Sequence, residues 1–196
     1  MRRIIAATEK ENTLLAERDR CMIMLAFFGY LRTSEIANMN RKEIQFVEEK
    51  IGTEIVNIMK IIVNRKCKNS KSEDHERVIR EKKDLQQKCV VRMMKQYLKN
   101  WKGEEEGPLF TTMNGERMST DTPRGRLKVW LKEIGEMDVE AYGFHSLRAG
   151  AATESARAGV AGSDIQRHGN WKSDAYRVYI RPNIQDRLRT TDAIGN

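Results

Sequence analysis

Cysteine, histidine and proline each occur only three times in 196 residues, and each scarcity closes off a class of protein. Cys21, Cys67 and Cys89 are too scattered for a disulfide framework or a Cys-x-x-Cys metal site. With so few histidines, no structural zinc site is assembled by spacing, and neither a metal nor another cofactor is expected. This cysteine usage fits a reducing, intracellular compartment. The longest apolar run, 21–31, is too short to cross a bilayer and follows a charged segment, so it is neither a membrane span nor a signal peptide. There is no Gly-rich phosphate loop, internal repeat or low-complexity tract.

Charge is what the chain has in abundance. Charged residues make up 33%, and 36 Lys and Arg against 28 Asp and Glu leave a net charge of +8. An excess of that sign favours a polyanionic partner, nucleic acid first and an acidic membrane face second. A basic surface with no such partner is the plain alternative. The length suits one well-packed domain or two small ones.

Residues 1–13 are polar and read as a lead-in or linker, with the folded domain over 14–196. The stretch from Leu14 to Phe28 is apolar around nearly its whole circumference after Asp19, as in a helix surrounded by others. Gly29-Tyr30 ends it, Arg32 follows, and Thr33-Ser34-Glu35 opens another helix. The local alternative for Arg32 is a structural ion pair with Glu35. Glu54 to Asn64, rich in Ile and Val, predicts a strand, and 75–80 a second one. Between them, 65–71 is a basic hairpin tip carrying Arg65, Lys66, Lys68 and Lys71. Its donors suit a nucleic-acid backbone, although such a loop is commonly only solvated.

Asp84 is placed to cap a helix whose core stripe is Leu85, Cys89, Met93, Tyr97 and Trp101, with Gly103 as its stop. Pro108-Leu109-Phe110 returns to the core. Thr122-Pro123 opens a helix with Leu127, Trp130, Leu131 and Ile134 inside; Arg124, Lys128 and Lys132 lie on another face. That basic stripe fits a phosphate backbone or plain solvent. The last third holds His145 and Arg148 at helical i,i+3 spacing, a short helix over 163–168, and Ser173 capping a segment with Tyr176 and Tyr179 before Pro182. The whole predicts a mainly α domain with a small antiparallel β-sheet (α+β).

Four motifs in order carry a resemblance. Gly29-Tyr30-Leu31-Arg32-Thr33-Ser34-Glu35-Ile36, then His145-Ser146-Leu147-Arg148-Ala149-Gly150, Gly169-Asn170-Trp171 and Tyr179-Ile180-Arg181 resemble the signatures of the tyrosine recombinase (phage integrase) family. Trp171 stands where many members have a second histidine, as in Cre and the recombinases of DIRS- and crypton-type mobile elements. The resemblance implies that family's catalytic-domain fold, with the usual N-terminal core-binding domain outside this chain. It also implies site-specific cleavage and rejoining of double-stranded DNA through a 3′-phosphotyrosine, without metal or ATP, by a homotetramer on DNA when full length.

The implied catalytic residues are Arg32, Lys68, His145, Arg148, Trp171 and Tyr179, with Glu35 positioning Arg32. The family's general acid is a hairpin lysine; the resemblance puts it at Lys68, with Lys66 and Lys71 in reach. The residue types suit the reaction independently. Two guanidiniums can hold non-bridging oxygens and the charge of a pentacoordinate phosphorus. A phenol, with an ordinary pKa of about 10, is both nucleophile and competent leaving group. Trp171 donates only through its indole N–H. Tyr176 reads as packing, His168 as a helix-end histidine on backbone carbonyls, and His75 as a surface residue. Arg65, Lys66, Lys71, Arg124 and Lys128 are the expected DNA-backbone contacts. Residues 184–194 have few apolar side chains for docking on a neighbouring subunit. The alternatives are a recombinase-derived DNA-binding domain that does not cut and a type IB topoisomerase-like relaxing enzyme.

Overall fold

The computed structural model describes residues 1–11, 13–64, 74–84, 89–181 and 184–194. Helix α2 (Leu14–Phe28) is its axle, buried without a break from Cys21 to Ala26. The Thr13 hydroxyl accepts from the Ala16 N–H and caps its first turn, and Gly29 receives the chain at its end. Around it pack α4 (Val90–Asn100), α5 (Asp121–Glu133) and α6 (Phe144–Arg157), so a helix apolar on all sides has a neighbour on all sides.

Helix α1 (Arg2–Lys10) corrects the expected polar lead-in. Ile4, Ile5 and Ala7 enter the same core as α2, while the charged residues of the segment take the other face. Two isoleucines in nine residues suffice because the segment needs only one apolar stripe.

The sheet is antiparallel, in the order β1 (Ile44–Ile51), β2 (Glu54–Asn64) and β3 (Asp74–Arg80). Strand β2 falls at the expected bounds, whereas β1 was not anticipated, because its Glu48-Glu49-Lys50 half is solvent-exposed. Gly52, at φ +62°, makes the turn between β1 and β2. Register places Ile44 beside Ile61 and Ile61 beside Arg77, with Phe46, Met59 and Ile79 in the next row. These two central rows of one face are therefore apolar except for a guanidinium.

Helix α4 begins at Val90 with Cys89 as its N-cap, later than a start at Asp84. Asp84 lies in a turn, Leu85 outside the described residues. The preceding segment folds back on the helix instead: Glu81 accepts from Arg92 at 2.9 Å and from Lys95 at 2.8 Å. Helices α2 and α5 are tied by Asp19, fully buried, which accepts from Arg18, from Arg126 at 2.5 Å and from the Trp130 indole at 2.9 Å.

A second, smaller apolar cluster lies apart from this core. It joins Tyr30, Ala151, Ala152, Ile165, Trp171 and Tyr176, with Phe27, Tyr179 and Ile180 packed against it. It is built from the turn after α2, from α6, from α7 (Gly162–Gly169) and from a 3-10 turn (Asp174–Tyr179). Helix α8 (Ile184–Asp192) follows, exposing Ile184 and Leu188. The motifs singled out in the sequence converge on this second cluster.

Candidate active site

Arg148 is the centre of the convergence. It leaves α6 and is 2% exposed, with its Nη2 donating to the Gly169 carbonyl at 2.6 Å and its Nη1 to the Tyr30 carbonyl. Its guanidinium lies 4.0 Å over the Trp171 ring. Burial pushes its pKa down to about 10; the charges of Arg32 and Arg77 push the same way, those of Glu35 and Tyr179 the other. It remains a cation at neutral pH.

Both carbonyls that hold Arg148 sit beside left-handed backbone. Tyr30 has φ +50° and Asn170 φ +52°, conformations that disfavour residues other than glycine. Tyr30 is held there by its ring, buried against His168 and Trp171, and by its hydroxyl, 2.5 Å from the Ser155 hydroxyl. Burial raises the Tyr30 phenol pKa, so this hydroxyl stays protonated. The glycine at the preceding position cannot simply be replaced, since a Cβ on Gly29 would stand 2.8 Å from the Leu25 carbonyl oxygen.

The Gly169-Asn170-Trp171 motif has a physical reason at each position. A Cβ on Gly169 would lie 1.7 Å from the Trp171 ring, so only glycine lets the indole fold over the helix end. Asn170 takes the left-handed turn that terminates α7. Trp171, buried, then supplies the face on which Arg148 rests.

Arg32 is the N-cap of α3 (Thr33–Asn38), two residues beyond the carbonyl that Arg148 holds. Its backbone N–H donates to Glu35 Oε2 at 2.7 Å and its Nη1 to Oε1 at 3.2 Å. The ion pair weighed from the sequence therefore exists, but the Arg32 side chain is 45% exposed. Its partner, the Glu35 carboxylate, is only 9% exposed, so the guanidinium end of the pair faces solvent while the carboxylate end is largely buried.

The two tyrosines are separated by their surroundings. Tyr176 is buried, and its hydroxyl faces the Gly162 backbone so closely that a Cβ there would be 2.2 Å away. Tyr179 is half-buried, its ring 4.9 Å from that of His145 and 5.5 Å from that of Trp171. His145, in the first turn of α6, is exposed. The Thr153 hydroxyl reaches the Tyr179 carbonyl at 2.7 Å and accepts from the Arg181 N–H at 3.3 Å, clasping the end of the 3-10 turn.

Arg32, Glu35, His145, Arg148, Trp171 and Tyr179 thus gather around one cluster. Lys68, Arg65, Lys66 and Lys71 lie outside the described residues. Arg124 and Lys128 stand on α5, paired with Asp121 at 3.0 Å and with Glu140. His168 donates through Nε2 to the Phe28 carbonyl, 2.7 Å away, so its carbonyl partner belongs to α2 rather than to its own helix. His75 is half-buried on β3. Arg77 and Thr153 escaped the sequence reading. Arg77, 1% exposed, donates through Nε to the His168 carbonyl at 3.1 Å and lies 3.9 Å from Glu35. Its only signal was the strand alternation that puts it on the face of Ile79.

The pattern defining the phage integrase family matches residues 1–185, including every one of these groups. This chain belongs to the phage integrase family. Solved structures add the fold of the tyrosine recombinase catalytic domain. XerA recombinase superposes with a TM-score of 0.68 at 18% identity, over 100% of this chain and 60% of that one. XerH site-specific recombinase, in a post-cleavage complex with palindromic difH substrate, gives 0.69 at 17%, over 98% and 50%. The Tn1549 transposon integrase, in complex with transposon right end DNA, gives 0.58 at 14%, over 98% and 63%. Identities this low make the likeness one of fold, and this integrase-family chain spans less than two thirds of each of those three chains. No curated protein shows significant similarity to it.

Proposed function

We propose that this domain cleaves and rejoins double-stranded DNA at specific sites through a covalent link between Tyr179 and a 3′ phosphate. The observation that supports it most is Arg148 held rigidly on the Trp171 face, with Tyr179 packed on the same indole and Arg32 on the adjoining turn. Arg32 and Arg148 bind the non-bridging oxygens and stabilise the charge that grows on them as phosphorus becomes pentacoordinate. Arg148 uses one N–H on each terminal nitrogen for its carbonyls, which leaves donors of its fork for the phosphate.

In the cleavage step the Tyr179 oxygen forms a bond to phosphorus and the bond to the 5′ oxygen breaks. The phenol proton leaves with assistance from His145, and the 5′ oxygen is protonated by a hairpin lysine, Lys68 in this reading. Oxidation states do not change, and the phosphotyrosine conserves the ester for rejoining. Trp171 donates its indole N–H to the phosphate, and Glu35 orients Arg32. The basic hairpin with Arg124 and Lys128 grips the DNA backbone. Assembly into a tetramer on DNA is part of the same proposal for the full-length protein.

A nicked duplex carrying the terminal sequence of the host element tests the reading, because loss of the short downstream strand traps the covalent intermediate. The wild-type chain should form an adduct that resists denaturation, Tyr176→Phe should retain it, and Tyr179→Phe should abolish it. A band shift without an adduct would instead identify a DNA-binding domain that does not cut. Adduct formed equally by Tyr179→Phe would reassign the nucleophile.

A further inference from the structure

Among the described residues of the site, Arg77 is the charged side chain whose hydrogen bonding is left incomplete, as is that of the Asn170 amide nitrogen. It stands on the apolar face of the sheet, beside Ile61, with its Nε bonded to the His168 carbonyl. Both of its terminal nitrogens are buried without a hydrogen-bond partner among the described residues. A guanidinium carries four N–H bonds on those two atoms, and leaving them unmet inside a protein is costly. Such a group calls for an explanation, and a second state of the molecule that satisfies it is one.

The acceptor for that state is already adjacent. Glu35 Oε2 lies 3.9 Å from Arg77 Nη2, beyond hydrogen-bond range by less than an ångström. The same carboxylate holds the Arg32 side chain through Oε1 at 3.2 Å and caps α3 through the Arg32 N–H at 2.7 Å. It therefore stands between two guanidiniums, bonded to the outer one and just short of the buried one. A carboxylate oxygen accepts more than one hydrogen bond, so Glu35 can close on Arg77 without giving up the helix cap.

We propose that Arg77 is a positioning residue that takes over Glu35 when Arg32 turns to a phosphate. The exchange gives the Glu35 carboxylate a second guanidinium as Arg32 departs, and it completes a guanidinium whose terminal nitrogens have no partner among the described residues. The alternative role for Arg77 is a passive brace between β3 and α7 through the His168 carbonyl. The inference rests on the proposed phosphate contact of Arg32, and on no later step of the reaction.

Inorganic phosphate titrated into the 196-residue chain tests it, with the arginine Nε–Hε resonances followed by NMR. Arg32 and Arg77 should shift together with one half-saturation concentration. Movement of Arg32 with Arg77 unmoved, or no response of Arg32, would overturn the proposal. Arg77→Met removes the second partner, so Glu35 should hold Arg32 more firmly and phosphate affinity should fall by about tenfold, the scale of coupling between residues in contact. Adding Glu35→Ala to Arg77→Met should bring affinity back to within about threefold of wild type, whereas a passive brace predicts that the two losses add. Arg77→Lys keeps the charge and should stay near wild type, which serves if the methionine variant does not fold. The titration needs no strand cleavage: a joint shift without a covalent adduct keeps this inference and discards the cleavage reading. An adduct with Arg77 unmoved does the reverse.

Discussion

His168 carries the clearest titration at the scale of single residues. Burial holds its imidazole pKa below the ordinary 6.5, aided by the charges of Arg77 and Arg148 and opposed by the bond to the Phe28 carbonyl. The folded chain thus takes up this proton less readily than the unfolded chain. The neutral ring's contribution to stability is complete above pH 6.5 and drains away as pH falls toward the depressed folded value. Urea unfolding at about pH 7.5 and about pH 5.5 should show that loss, and His168→Gln should reduce it. An unchanged pH dependence in His168→Gln would place the titrating group elsewhere. Gly169→Ala makes a steric prediction instead. Its methyl would overlap the Trp171 ring, so the indole must move and Arg148 loses its platform. Overpacking of this kind costs about 1–3 kcal/mol, and urea unfolding followed by tryptophan fluorescence should register it. Under the proposed function, adduct formation should fall further than DNA affinity, because the proposed phosphate-binding geometry is what shifts.

Asp19 is the fastening between elements. A fully buried carboxylate shared by Arg18, Arg126 and Trp130 joins α2 to α5, and Arg18 continues to the Thr111 carbonyl at 2.6 Å. Asp19→Ala leaves buried donors without their acceptor, for which the expected loss is about 3–5 kcal/mol in chemical unfolding. Helix α1 predicts a similar test: Ile5→Ala should cost about 2–5 kcal/mol if the segment is part of the core, and almost nothing if it were a lead-in. These elements differ in how far they could be read from residues. Helix α2 and strand β2 were legible because their apolar content is dense enough to dictate period or length. Helix α1 was hidden by Arg2, Arg3, Glu9 and Lys10, which outnumber its two isoleucines. Strand β1 was hidden by the three charged residues at its solvated end. At the site, Arg32, His145, Arg148, Trp171 and Tyr179 were legible as ordered motifs, and burial then distinguished Tyr176 from Tyr179. Arg77 was not legible, because a charged residue in a strand with Val78 on one face and Ile79 on the other reads as solvent-facing. Alternation puts it on the face of Ile79, and the register against Ile61 decides that this face is the buried one.

For the whole molecule, a net charge of +8 predicts how binding responds to salt. If the basic groups meet DNA phosphates, affinity for a duplex of arbitrary sequence should fall by about a thousandfold or more between about 50 and 200 mM salt. Fluorescence anisotropy would measure it, and a flat salt response would remove DNA from the list of partners. The clasp of Arg148 on the Tyr30 and Gly169 carbonyls reaches further than chemistry. It ties the Tyr30 turn, 118 residues before Arg148, to the Gly169 turn, 21 residues after it, through a single side chain, which is therefore a strut as well as a proposed phosphate ligand. An ammonium cannot span both oxygens as the planar fork does, so Arg148→Lys would preserve the charge while letting the two turns drift apart. Activity lost in that variant would measure architecture and electrostatics together, and a melting curve beside the kinetics is needed to tell one share from the other.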